Sequence, residues 1–199
     1  MKIDEIHYAG FWQRLGSMLI DLLVMLPLVW IVFWGQDHYR LFDAFELIPL
    51  VLFGLWFHVY LVSKYGGTPG KLLLDLRIIK VSGKPAQLST AFVRNLPNFA
   101  FDTLWRFGMA IALFHMTDAE YFALNHHKHF AEVAKMAPPW CHWIEIASLV
   151  WALSELVVLL TNRKRRALHD FIAGTVVIQV PPNPSFKRNA PSARPLTLR

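Results

Sequence analysis

Long apolar stretches alternate with short polar segments along this chain of 199 residues. Three stretches hold at most two ionisable side chains each, and they cover residues 15–34, 47–62 and 144–160. A helix of about 20 mostly apolar residues crosses the roughly 30 Å hydrocarbon layer of a bilayer. The pattern therefore predicts three membrane-spanning helices, and the second can be extended backwards to Phe45.

A fourth stretch, residues 96–116, is apolar in its second half but carries Asp102 and Arg106. These two residues are four positions apart, so on a helix they share one face and neutralise each other. We predict a fourth, polar-marked span here. The alternative is an amphipathic helix that lies in the membrane interface.

The charges between the apolar stretches predict the topology. Residues 63–95 hold six basic side chains and one acid, and residues 163–166 are all basic, whereas segments 35–46 and 117–143 hold more acids than Lys and Arg. Basic segments belong on the cytoplasmic side. Four spans with both termini in the cytoplasm fit this pattern. Asp4 and Glu5 interrupt any basic leader, so we expect the first span to be retained and not cleaved as a signal peptide.

Two short segments resemble β-strands. Residues 75–81 alternate and end in a Ser-Gly-Lys-Pro turn signal, and residues 174–180 are rich in β-branched side chains. We expect them to pair on the cytoplasmic side, and we expect the basic, Pro-containing tail 183–199 to be disordered. The predicted fold is an all-α polytopic membrane protein with about four transmembrane helices and a small cytoplasmic β element.

The composition excludes several classes of protein. Hydrophobic residues make up 55% of the chain and charged residues 17%, against about 25% charged in soluble domains. The net charge of +6 comes mainly from bases that flank apolar runs, which favours the lipid bilayer and its anionic headgroups as partners over nucleic acid. The sequence has neither an HExxH motif nor a nucleophile with an oriented base. We therefore expect neither an enzyme nor a cofactor.

Three motifs in order resemble the RDD family of small bacterial membrane proteins, which is named for one arginine and two aspartates. They are residues 8–21 (YAGFWQRLGSMLID), 66–77 (GGTPGKLLLDLR) and 163–177 (RKRRALHDFIAGTVV). The resemblance covers about residues 8–180 as one transmembrane domain and implies a location in the bacterial inner membrane. It identifies Arg14, Asp21 and Asp170 as the family's polar residues. Transport is often proposed for this family, and cation/proton exchange is attached to some members.

Asp21 is the sharpest candidate site, because a carboxylate near mid-membrane costs about 2.5–3.5 kcal/mol to insert and usually faces protein or water. Arg14 lies two helical turns earlier, about 10 Å along the axis, so water or a third residue is needed to connect the two. In one interpretation Asp21 carries a proton, a cation or a small solute. In the other, the protein is a non-transporting structural or accessory protein whose Arg and Asp residues only fix helix packing.

Two further acids are candidates for the same roles. Asp170 follows the basic cluster, where it is expected to cap a helix or to pair with Arg14 at the cytoplasmic surface. Glu155 lies inside the last predicted span and is a second possible ion or proton site.

The glycine-rich segment 66–71 is not a phosphate loop, since Tyr65 and Leu72 occupy positions that need Gly and Ser or Thr. We interpret it as a tight turn after the second span, with Lys71 at the headgroups.

A metal site is not predicted. Histidines and one cysteine gather loosely between the third and fourth predicted spans, but their spacing matches no standard zinc site. We interpret the histidines as solvated side chains of a loop, and the weak candidate ligands are His126, His127, His129, Cys141 and His142. His58, His115 and His169 are interpreted as isolated side chains that are interfacial or packed.

Overall fold

The computed structural model describes residues 7–124 and 129–180 of the chain. The helices are α1 (Phe11–His38), α2 (Phe42–Leu55), α3 (Leu61–Tyr65), α4 (Pro69–Leu73), α5 (Leu88–His115), α6 (Asp118–Phe122), α7 (His129–Met136), α8 (Trp140–Thr161) and α9 (Leu168–Ile172). The strands are β1 (His7–Tyr8), β2 (Leu76–Lys80) and β3 (Thr175–Gln179). The fold is mostly helical with a small sheet, as predicted.

Three helical segments among the described residues are long and apolar enough to cross a membrane: Phe11–His38, Phe42–Leu73 and Trp140–Thr161. They contain the three predicted spans and extend each of them. Helix α5 covers the fourth predicted span and is 28 residues long, but it does not meet the same criterion because polar side chains recur along it. The fourth crossing therefore stays a prediction.

The second apolar segment ends in a reversal of the chain. Helix α2 passes through one π-helical turn, Trp56–Tyr60, into α3. Gly66 then ends α3 in the left-handed conformation, with φ of 82°, which glycine adopts without steric cost. Pro69 takes the first position of α4, where its missing N–H and fixed φ favour helix initiation. The predicted tight turn is thus present, and it folds α4 back against α1.

The sheet has the strand order β1-β3-β2, and both pairs are antiparallel. Leu76 lies opposite Gln179 and Lys80 opposite Thr175, so the predicted pairing of the two segments is confirmed. The added strand β1 was missed because two residues carry no readable alternation. The sheet brings the start of the described chain, the segment before α5 and the segment after α8 to one end of the molecule.

Two apolar clusters form the core. One lies beneath the sheet and joins its strands to α3 and α5; its buried members are Ala9, Val59, Val62, Leu76, Ile78, Ala86, Ala91 and Val177. The other lies at the far end of α5 and comprises Met109, Ala112, Leu113, Met116, Tyr121 and Val133. Segment 117–143 is not only a loop, because α6 and α7 lie within it and bury Tyr121 and Val133 in this second cluster.

Candidate functional site

Arg14 and Asp170 form an ion pair that joins the first long helix to the segment after the last. Nη1 of Arg14 donates to Oδ2 of Asp170 at 2.8 Å, and the two side chains are 11% and 0% exposed. Nη2 of Arg14 also donates to the backbone oxygen of Arg165 at 2.6 Å. The expected pairing of Arg14 with Asp170 is therefore confirmed.

Asp170 has more partners than the sequence indicated. Its Oδ1 lies 2.9 Å from Nη2 of Arg94 and accepts from the hydroxyl of Thr175 at 3.0 Å. Its Oδ2 also accepts from the backbone N–H of Ala167 at the start of α9, so the expected capping role is present beside the pairing. Burial alone would raise the pKa of Asp170, but the guanidinium groups of Arg94 and Arg14 outweigh it and hold that pKa well below its usual range.

The network continues from Arg94 to His169 and Glu155. Nη2 of Arg94 lies 2.7 Å from Nε2 of His169, and because a guanidinium only donates, Nε2 must accept. The proton of His169 therefore sits on Nδ1, which donates to Glu155. Burial and the charge of Arg94 both lower the pKa of His169, which agrees with the single ring proton that these contacts require. His169 is packed, as expected, but the interpretation that it is isolated is wrong.

Asp21 belongs to a second, separate cluster. Its Oδ2 accepts from the hydroxyl of Thr68 at 2.6 Å, and its Oδ1 accepts from the backbone N–H of Gly70 at 2.7 Å. Nζ of Lys71 lies 3.9 Å from Oδ2. Asp21 is 7% exposed, so its carboxylate is enclosed by donors from the turn before α4 and from α4 itself. Among the described residues, its side-chain partners differ from those of Arg14.

The glycine-rich turn reaches Asp21 because α4 touches the backbone of α1. A Cβ at Gly70 would lie 2.1 Å from the backbone oxygen of Ser17 and 2.9 Å from the backbone nitrogen of Asp21. Only glycine permits this approach. The expectation that Lys71 reaches the headgroups is wrong, since its side chain is 20% exposed and its amine faces Asp21.

A third charged cluster lies further along α5. Nε of Arg106 donates to both carboxylate oxygens of Asp102, at 3.2 and 3.1 Å, as the four-residue spacing predicted. Nη1 of Arg106 also donates to Oε1 of Glu46 on α2 at 3.3 Å. Two carboxylates from different helices therefore share one guanidinium.

Two cavities lie on either side of α5. The first has a volume of about 510 Å³ and lies between α1, α2 and α5. Most of its lining is apolar, and its polar lining residues are His58, Asn95, Asn98, Asp102 and Arg106. The second, of about 480 Å³, lies between α5 and α8 and includes three acids, Asp102, Glu145 and Glu155. Neither lining includes Asp21.

The weak metal candidates do not converge where they are described. Cys141 is buried against α5, where a Cβ at Gly108 would lie 2.0 Å from its sulfur. His142 is exposed and lies 4.0 Å from Glu145. Within residues 7–124 and 129–180, no three His, Cys, Asp or Glu side chains gather as a metal site would require. His126 and His127 lie outside the described residues, as does the side chain of His129.

Sequence reasoning missed Arg94, which was counted only as a basic loop charge. The available signal was the spacing of polar side chains along α5: Arg94, Asn98, Asp102 and Arg106 lie four positions apart, so they follow one helix face. Polar residues with that period inside an apolar helix indicate a protein-lined or water-lined face.

Comparison with known proteins places these motifs in one family. The family model described as RDD family matches residues 8–174 of the chain. The uncharacterized protein YckC of Bacillus subtilis (strain 168) is 32% identical over 92 residues, which cover 43% of this chain and 56% of YckC. The uncharacterized membrane protein YteJ of the same strain is 25% identical over 124 residues, 53% of this chain and 70% of YteJ. The aligned part thus spans just over half the length of YckC. No solved structure gives a significant match.

Proposed function

This chain belongs to the RDD family, and we propose that it is a multi-pass membrane protein that passes a small cation along the polar face of α5. In this proposal Arg14, Asp21 and Asp170 are fixed clamps that hold the helices around that face. The observation that carries the proposal is the cavity of about 510 Å³ between α1, α2 and α5, with its polar lining.

The position of the polar residues favours a solute path along α5. Ionisable and amide side chains inside membrane proteins are costly, and they usually face a water-filled cavity or the bundle interior. Asn98 and Asp102 line both cavities, so they connect the two spaces on either side of α5. Asp102, Glu145 and Glu155 make the second lining acidic. Acidic linings favour cations, which supports a small cation as the substrate.

The contacts of Asp21 favour packing over transport at that residue. Its two oxygens already accept from Thr68 and Gly70, and Lys71 supplies a nearby positive charge. A transported ion would have to displace these donors from a residue that is 7% exposed. We therefore assign transport to the α5 face and not to Asp21.

The proposed topology places α5 across the bacterial inner membrane and both termini in the cytoplasm. The sheet supports it, because strands from the two basic segments pair and so lie at the same end. Helices α5 and α8 run antiparallel: Trp105 contacts Glu145, whereas Asn98 contacts Trp151. In the proposed topology, α5 and α8 are the two crossings between the basic segments. The Lys and Arg side chains of those basic segments would then meet anionic headgroups.

Flux of Na⁺, K⁺ and protons through liposomes containing the purified chain tests this proposal. We expect the wild type to pass at least one of these cations, Asn98→Leu to lose most of that flux, and Asp21→Asn to keep it per folded molecule. Loss of flux in folded Asp21→Asn, with normal flux in Asn98→Leu, would reject the α5 face as the cation site and favour Asp21 instead.

A second candidate function is that of a non-transporting accessory protein. The network around Asp170 favours it, because Arg14, Arg94 and Thr175 together contact both oxygens of that buried carboxylate. Absence of flux for all three cations in a folded wild-type preparation would support this function and reject transport of a small cation.

A further inference from the structure

Glu46 is a buried acid that is not among the family's polar residues and does not line either cavity of the proposed cation route. It lies near the start of α2 and is 6% exposed. Its Oε1 accepts from Nη1 of Arg106 at 3.3 Å. Its Oε2 is also buried, and it has no hydrogen-bond donor within residues 7–124 and 129–180.

The charges around Glu46 leave it short of positive partners. Arg106 is shared with Asp102, which engages Nε of the guanidinium through both oxygens. Asp43, one turn earlier on α2, adds a further negative charge, and its carboxyl lies within hydrogen-bonding reach of Glu46. Two carboxyl groups form such a contact only when one of them carries a proton. The cluster of Asp43, Glu46, Asp102 and Arg106 therefore holds three acids and one base.

Other charged or titratable groups at this end of the molecule are engaged elsewhere. The hydroxyl of Tyr121 on α6 donates to the backbone oxygen of Gln36. Arg40 is held by Asp118 and by the backbone oxygen of Leu113. Gln36 itself donates to Asp43. None of these contacts gives Oε2 of Glu46 a donor.

An ionised carboxylate oxygen buried without a donor is costly, and a proton removes both the charge and the unpaired acceptor. We propose that Glu46 is a proton-binding site, and that its carboxyl carries a proton on Oε2 in the folded protein at neutral pH. The binding is the simple equilibrium of one carboxylate and one proton, and it needs no other reactant.

Protonation of Glu46 also has a consequence for the first cavity. A neutral Glu46 attracts Arg106 weakly, so the guanidinium stays with Asp102 in the cavity lining. An ionised Glu46 competes for Arg106 and leaves Asp102 less neutralised. The inference concerns proton binding alone, and it stands whether or not a cation crosses the protein.

Infrared spectroscopy of the full chain in lipid nanodiscs tests the site, because a protonated carboxyl has a C=O stretch distinct from that of a carboxylate. At neutral pH we expect such a band in the wild type and a shift of that band when glutamate carboxyls are labelled with ¹³C, which leaves every aspartate unlabelled. Glu46→Gln should remove the band. Glu145→Gln is the matched control, since Glu145 is half-exposed and accepts from Trp105, and it should keep the band.

Three results would overturn the proposal: no protonated-carboxyl band at neutral pH, a band that does not shift with the glutamate label, or a labelled band that survives Glu46→Gln. If Glu46→Gln does not fold, the label and two other variants decide together. A shifted band that persists in both Glu145→Gln and Glu155→Gln supports Glu46, whereas an unshifted band, or a shifted band that is lost in either variant, rejects it.

Discussion

Removing the negative charge of Asp170 is expected to destabilise the protein strongly. Asp170→Asn keeps the shape of the side chain but leaves the guanidinium groups of Arg14 and Arg94, which are 11% and 6% exposed, without their counter-charge. Breaking a buried ion pair from one side costs about 3–5 kcal/mol, because an uncompensated charge stays buried. Here two such charges remain, so we expect a loss at the upper end of that range.

A double-mutant cycle identifies the source of the loss. Arg94→Gln added to Asp170→Asn removes one of the two surplus charges, so the double variant should be more stable than Asp170→Asn alone. Exchanging the charges of Arg14 and Asp170 should fail to restore stability, because an arginine at position 170 would face Arg94.

Reversible unfolding in mixed detergent micelles gives the free energies for this cycle. Asp118→Asn is the matched control: Asp118 also pairs with an arginine, but its side chain is 74% exposed, so its removal should cost no more than about 1 kcal/mol. The reasoning is refuted if Asp170→Asn lies within 1 kcal/mol of wild type, or if the charge exchange restores full stability.

Three further predictions address the packing, the pH response and the topology. Gly70→Ala should lower the free energy of unfolding by about 1–3 kcal/mol through overpacking. Gly16→Ala should change it little in the same unfolding assay, because the added Cβ would have its nearest neighbour at 3.4 Å. The pKa of His169 is lowered in the folded state. At a pH just below the ordinary histidine pKa of about 6.5, the unfolded chain therefore binds more protons at this residue than the folded protein. The free energy of unfolding should therefore fall as the pH drops below about 6.5. His169→Gln should flatten that slope, and an unchanged slope would reject the neutral imidazole. Reporter fusions should be cytoplasmic at Lys80 and external at Asp37, and the reverse pattern would reject the orientation.

Much of the architecture can be predicted from the sequence because it depends on local patterns. Apolar runs of sufficient length predict the three spans, and two β-branched segments predict the pairing of β2 with β3. The pairing of Arg14 with Asp170 was one of two roles expected for Asp170, because the charge pattern predicts both residues at the same membrane surface.

The remaining contacts depend on how distant elements pack, which no local pattern contains. Thr68 and Lys71 reach Asp21 only because α4 folds back onto α1 at Gly70. Arg94 joins Asp170 only because the rotation of α5 turns its side chain toward α9. Glu46 is assigned to a polar loop by charge counting, but α2 begins four residues before it and buries it against α5.

Water access along α5 and its absence at Asp21 are the central claim, and thiol labelling tests it most directly. The chain has one cysteine, Cys141, so Cys141→Ser provides a cysteine-free background. In liposomes, a membrane-impermeant thiol reagent should label Asn98→Cys, which lines both cavities, and should leave Ser17→Cys, fully buried beside Asp21, unlabelled. Labelling at position 17 with protection at position 98 would contradict the account.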